Sequence, residues 1–180
     1  DIEREDCRGL TTVTIDPDDA KDFDDALSVT PGDTPGVVRV GVHIADVAAY
    51  VPAGTPLDEK ARRRGFTVYL PGRTLPMLPT PLASELCSLV EGEDRLTHSV
   101  FLDIDEATGC VAGSRRARTV INVSKRLTFA GVQDLVEGQT ESDCPEDVKA
   151  ALTTLNGLHR LMRERRKEAE EFLQLSVPEA

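Results

Sequence analysis

The chain of 180 residues, with 39% hydrophobic and 29% charged residues, has an ordinary globular composition and fits one domain with a real core. No apolar run approaches about 18 residues, which excludes a membrane-spanning helix, and four cysteines without CxxC or metal spacing read as free thiols in a reducing compartment. A net charge of −11 argues against a nucleic-acid binder that works through overall charge.

Residues 1–8 are polar and read as the end of a linker; no signal peptide opens the chain, and a cytoplasmic location is expected. An apolar, β-prone run at residues 10–15 leads into Thr14-Ile15-Asp16-Pro17-Asp18-Asp19-Ala20-Lys21-Asp22-Phe23-Asp24-Asp25-Ala26, and residues 26–29 lead out. These thirteen residues carry six aspartates against one lysine. Acids bracketed by strands are held near a core, where mutual repulsion and desolvation are costly unless a cation is present. Hard divalent ions want such an all-oxygen site. An EF-hand loop starting at Asp16 fails, because Lys21 falls at the glycine position and Leu27 at the bidentate glutamate. An aspartic-protease site wants two separated carboxylates sharing a proton, not one cluster. Spacing alone leaves two readings open: a solvated acidic loop, or a Mg²⁺ or Mn²⁺ site for phosphoryl chemistry.

Residues 37–47 place valine or isoleucine at 38, 40, 42 and 44, a period-two strand with one buried face. His43 within it reads as a satisfied core residue, or one that supports a ligand from behind. Thr55-Pro56-Leu57-Asp58 predicts a helix start, and Gly65 after three arginines predicts its end. Residues 66–81 are proline-rich and irregular. Thr80-Pro81 repeats the cap-and-proline start for a short helix through Cys87. Residues 96–104 and 110–123 read as strands joined by a turn at 105–109. Thr128 predicts the cap of a short helix ending near Gly138, followed by a polar loop at 139–143. The longest helix is predicted from Pro145 to about Phe172, and residues 173–180 are apolar enough to begin another strand. The basic residues are bunched at Lys60 and Arg62 to Arg64, and at Arg115, Arg116, Arg118, Lys125 and Arg126. Without other observations, such bunches read as a solvated face before a phosphate track.

The acidic stretch resembles the catalytic signature of the ribonuclease II and ribonuclease R family: Thr-Ile-Asp, five residues, then Asp, an apolar residue and Asp-Asp-Ala. Gly41-Val42-His43-Ile44-Ala45-Asp46-Val47, Phe66-Thr67-Val68-Tyr69-Leu70-Pro71-Gly72, Pro76-Met77-Leu78-Pro79, Leu86-Cys87-Ser88-Leu89 and Ser124-Lys125 with Leu127-Thr128-Phe129 resemble further family blocks in family order. The resemblance implies an α+β fold with a mixed, largely antiparallel sheet flanked by helices. Residues 1–180 would then be the N-terminal portion of a single RNB-type catalytic domain. Cold-shock and S1 RNA-binding domains, and a later arginine-bearing segment that completes the family's site, are not among these residues.

The implied activity is processive, metal-ion-dependent hydrolysis of single-stranded RNA from its 3′ end to nucleoside 5′-monophosphates, with Mg²⁺, or Mn²⁺, as cofactor and no membrane partner. The matching positions are Asp16, Asp22, Asp24 and Asp25. Asp16 and Asp25 bracket the loop and are expected as direct metal ligands. Asp24 is expected to act on a second ion or the attacking water, and Asp22 to orient its neighbours. Tyr69 matches a tyrosine that stacks on a terminal base. Phe129 stands where the family often has tyrosine, and Lys125 lies in a matched block, so both are candidate RNA contacts. The family's other stacking aromatic would fall near Leu175, where this chain is aliphatic. The alternative is a catalytically incomplete RNA-binding or regulatory fragment.

Overall fold

A computed structural model describes residues 3–138 and 144–168. Among them are the strands β1 (Glu5–Asp6), β2 (Thr12–Asp16), β3 (Asp25–Pro31), β4 (Val37–Ala45), β5 (Val68–Leu70), β6 (Arg73–Leu75), β7 (Asp94–Asp105), β8 (Val111–Asn122) and β9 (Lys125–Thr128). The helices are α1 (Pro56–Arg64), α2 (Phe129–Glu137) and α3 (Glu146–Glu168). The expected loop at 139–143, the continuation of α3 through 169–172, and the expected strand at 173–180 with Leu175 lie outside the described residues.

Seven strands form one sheet in the order β1-β8-β7-β4-β3-β2-β9. Its interior pairs are antiparallel, whereas β1 joins β8 and β9 joins β2 in parallel. The fold is therefore α+β with a mixed, largely antiparallel sheet, as expected. Alternation of side chains divides the sheet into two faces. One face buries Ala26, Ala45, Phe101 and Ile121 against Cys87 and Leu89 from the segment before β7. The other buries Val38, Val40 and Ile104 under Leu158 of α3, and Val13 and Leu127 under Val148 and Leu152. No helix among the described residues is long and apolar enough to cross a membrane.

The caps formed as their sequences predict. Thr55 accepts a hydrogen bond from the Asp58 amide at 3.3 Å, and Gly65 closes α1 at φ 78°, a conformation that favours glycine. Thr128 accepts from the Gly131 amide at 3.1 Å. Three expectations need correction. Residues 66–81 are not irregular throughout: β5 and β6 pair as a small hairpin, Tyr69 opposite Thr74. Thr80 is not a cap: the helix already includes residues 80–81 and continues as a π-helical turn over Leu82–Leu86, with no side-chain cap bond. Residues 1–8 are not linker from end to end. β1 extends the sheet, Cys7 is buried, and Arg4 binds Asp46 at 2.7 Å.

Candidate active site

The acidic loop leaves the sheet at Asp16, the last residue of β2, and returns at Asp25, the first of β3. Its backbone is tied down between those points. Arg126 donates to the carbonyls of Pro17 and Asp18 at 2.9 Å each, and its guanidinium lies 5.5 Å from the Phe23 ring centre. The fully buried Ser88 hydroxyl donates to the Lys21 carbonyl at 3.1 Å and accepts from the Phe23 amide at 3.0 Å. The Leu89 amide donates to the Phe23 carbonyl, and the Ala45 amide to the Asp24 carbonyl, both at 2.9 Å. A loop held at these points cannot spread to relieve repulsion among its acids.

Asp16, Asp22 and Asp24 line one cleft of 620 Å³ together with Lys21, Thr67 and Tyr69. A neighbouring hollow of 310 Å³ continues from Asp22, Asp24 and Tyr69 past Ile44 to Met77. Burial, and then the Asp25 charge, hold the Asp16 carboxyl above the usual carboxylate range. Asp24 is raised by burial first and then by Asp22 and Asp25. The Tyr69 hydroxyl donates to the Asp22 carboxylate at 2.7 Å, and this bond pushes the phenol up to about 12. The Tyr69 ring itself is 67% exposed, so an exposed aromatic face stands at the cleft with its hydroxyl fixed.

One carboxylate oxygen, Asp16 Oδ2, is buried without a full hydrogen bond, as is the Thr14 hydroxyl, whose weak interaction with the Asp16 carboxyl opposes the rise in the Asp16 pKa. A buried anionic oxygen in a cluster whose negative charges raise the Asp16 and Asp24 carboxyls fits a bound cation. Among the described residues, however, no three such side chains already stand close enough together to hold a metal ion. Charge and donor type fit Mg²⁺ or Mn²⁺; a ready-made coordination shell is not in place.

Of the sequence-predicted residues, Asp16, Asp22, Asp24 and Tyr69 meet at the cleft, and Asp25 adjoins it through its effect on Asp16 and Asp24. Phe129, 60% exposed, directly follows Thr128, the register partner of Asp16. Lys125 is not brought to the cleft: it pairs with Val13, on the opposite face from Asp16, and binds Glu91 at 3.4 Å. His43 is a satisfied core residue, held between the Ser28 and Ser99 hydroxyls at 2.9 and 2.6 Å. The residues not singled out from sequence are Ser88 and Arg126. Each lay in or beside a matched block, the one local signal available.

A protein-family model described as "RNB domain" matches residues 4–180. Ribonuclease R of Thermotoga maritima is 40% identical over 178 residues, which is 99% of this chain and 25% of that protein. The structure of Mycoplasma genitalium RNase R in complex with ribose methylated single-stranded RNA superposes with a TM-score of 0.87 at 30% identity, covering 93% of this chain and 26% of that one. Yeast Ssd1, described as a pseudonuclease, shares the fold at a TM-score of 0.75 and 23% identity, covering 91% of this chain and 19% of that one. The chain spans a quarter or less of the length of the curated relatives it first matches.

Proposed function

The chain belongs to the RNB-domain family, and we propose that it is the N-terminal portion of the single catalytic domain of a 3′→5′ exoribonuclease. Its substrate is single-stranded RNA, degraded processively to nucleoside 5′-monophosphates. The observation that carries this reading is the convergence of Asp16, Asp22, Asp24 and Tyr69 on one cleft, with Asp16 Oδ2 buried without a full hydrogen bond. Asp16 and Asp25 would hold Mg²⁺ or Mn²⁺, with Asp22 and Asp24 completing the site. The bound ion supplies stabilisation of negative charge on the entering and leaving oxygens of the phosphodiester.

The protein's own residues do the rest. Asp24, raised above the usual carboxylate range and open to the cleft, orients the attacking water and takes its proton. Asp22 holds the Tyr69 hydroxyl, so the Tyr69 ring is positioned to stack on the 3′-terminal base. Phe129 lies near enough to Asp16 to meet the strand farther out, and Lys125 contributes at most an outer phosphate contact. The four free cysteines support a cytoplasmic location.

A second reading, a catalytically incomplete fragment, is favoured by the lack of a ready metal shell among the described residues. Incubation with 3′-labelled single-stranded RNA and Mg²⁺ separates the two. Stepwise release of mononucleotides, abolished by EDTA, is expected; intact RNA alongside retained RNA binding would establish the second reading.

A further inference from the structure

The sheet register sets one of the acids, Asp25, which neighbours the cleft without lining it, on an open face, opposite to the face of Asp16. Asp25 pairs with Ile44, Ile44 with His98, and His98 with Arg118. Residues paired across neighbouring strands share a face, so these four stand in one row. At about 4.8 Å per strand, the row runs about 14 Å from Asp25 to Arg118. Two residues along β8, on the same face, lies Arg116, opposite Val100. Helix α3 covers this face where Val38, Val40 and Ile104 are buried, but Ile44, His98, Arg116 and Arg118 are exposed.

The charges along this row are unbalanced. Arg115, on the opposite face of β8, is bound to Glu5 at 2.7 Å and lies 3.9 Å from the Phe101 ring centre. Arg39 is held by Asp33 and Asp103. Arg116 and Arg118 have no carboxylate partner among the described residues. The nearby acids are already engaged: Asp46 with Arg4, and Asp6, opposite Val120, with Arg8. In a chain of net charge −11, two uncompensated guanidiniums on the sheet face that also carries Asp25 form a local positive strip. Ile44 joins strip to cleft, because it also lines the hollow that holds Asp22, Asp24 and Tyr69.

We propose that Ile44, His98, Arg118 and Arg116 form a track for the single-stranded RNA backbone leading away from the carboxylate cleft. The arginines bind successive phosphates, as guanidinium forks do. Ile44 and His98 offer an apolar edge and a ring on which the intervening sugar and base rest. This inference rests on the exoribonuclease reading and adds the path of the strand outside the cleft. It also places Arg116 and Arg118 apart from Arg62 to Arg64, whose position in the last turn of α1 is already explained by the helix.

The test is fluorescence anisotropy of a labelled oligouridylate with this chain in EDTA, so that nothing is cut, over a range of salt concentrations. Each phosphate contact on a single strand contributes about 0.7 to the slope of log affinity against log salt. The Arg116→Gln/Arg118→Gln variant should therefore lose about 1.4 from that slope, while Arg62→Gln/Arg63→Gln keeps it. Both arginines are exposed, and an unchanged melting temperature would exclude misfolding. An unchanged slope in a folded variant, whether or not self-association or protein binding is altered, overturns the track. So does an absence of oligouridylate binding by the unmodified chain. Hydrolysis of 3′-labelled RNA, measured separately, tells whether the exoribonuclease reading falls with the track or stands without it.

Discussion

Asp24 sits where burial and two like charges all oppose ionisation, which is unfavourable for a surface acid and useful for one that must accept a proton. Asp24→Asn keeps the shape and removes the base. On protein that hydrolyses RNA, the single-turnover rate should fall by about 10²–10⁴-fold. Binding of RNA should hold or tighten, because one repulsion against phosphate is gone. Cleavage within about tenfold of the unmodified protein would make Asp24 a bystander. Tyr69 separates into two functions. Tyr69→Ala should lengthen the smallest undigested product, since base stacking contributes about 1–3 kcal/mol. Tyr69→Phe should leave product length unchanged, because the ring remains and only the bond to Asp22 is lost. Identical products from both variants would return Tyr69 to a purely structural role. Asp24 and Tyr69 were legible because the stretches that hold them resemble family blocks; spacing alone left the acidic loop open between two readings and Tyr69 in the core, 47 residues from the Asp22 it binds. Ser88 and Arg126 were not, because their bonds to the acidic loop span 65 and 109 residues.

The elements divide along a similar line. β4, α1, β7, β8 and α3 each announce themselves by periodicity or by caps within their own sequence. β1, the β5–β6 hairpin and β9 are two to four residues long and too short to show a period. They exist because a partner strand supplies the hydrogen bonds, as β8 does for β1 and β2 for β9. The acidic loop likewise owes its shape to neighbours rather than to its own residues. Ser88→Ala leaves the Lys21 carbonyl and the Phe23 amide each short of one part-buried bond, which costs about 1–3 kcal/mol in all. The variant should melt earlier, and amide exchange should quicken at Phe23 while the pairing of β7 with β8 stays protected. Gly41→Ala attacks a different contact: a methyl there would meet the Ser28 hydroxyl and, at 2.7 Å, the His43 Nε2. The Ser28–His43 bond would have to give way, and chemical denaturation should show a loss comparable with that of Ser88→Ala.

For the whole molecule, two ionic balances set stability. A cation that binds the folded acid cluster and not the dispersed unfolded chain stabilises by mass action, about 2.7 kcal/mol at a hundredfold excess over its Kd. Mg²⁺ or Mn²⁺ should accordingly raise the melting temperature of this chain and leave that of Asp16→Asn/Asp24→Asn nearly unmoved; a flat response in the unmodified chain would deny it a metal site. The second balance lies in the core beneath the acidic loop's return to the sheet, where His43 pairs with Ala26. His43 is fully buried, and burial lowers its pKa from 6.5 to about 4. Its ring nitrogens are both engaged by hydroxyls, and Ser99 passes the chain of bonds on to Thr119 at 2.6 Å and from there to Thr97. Between about pH 6.5 and pH 4 the unfolded chain takes a proton that the folded core refuses, so the folded state loses ground as the pH falls. The full loss across that window is about 3 kcal/mol. Asp16 and Asp24, whose folded values are raised, act with the opposite sign, since the folded state is the better acceptor of their protons. The two trends separate by difference. His43→Gln keeps a polar group that can reach one hydroxyl and cannot titrate. Urea denaturation from pH 7 to pH 4 should show the unmodified chain losing stability relative to His43→Gln by about 3 kcal/mol, all of it below pH 6.5. A constant difference across the range would mean that His43 does not titrate through the folding equilibrium and that its hydroxyl network is as accommodating to a charged ring as to a neutral one.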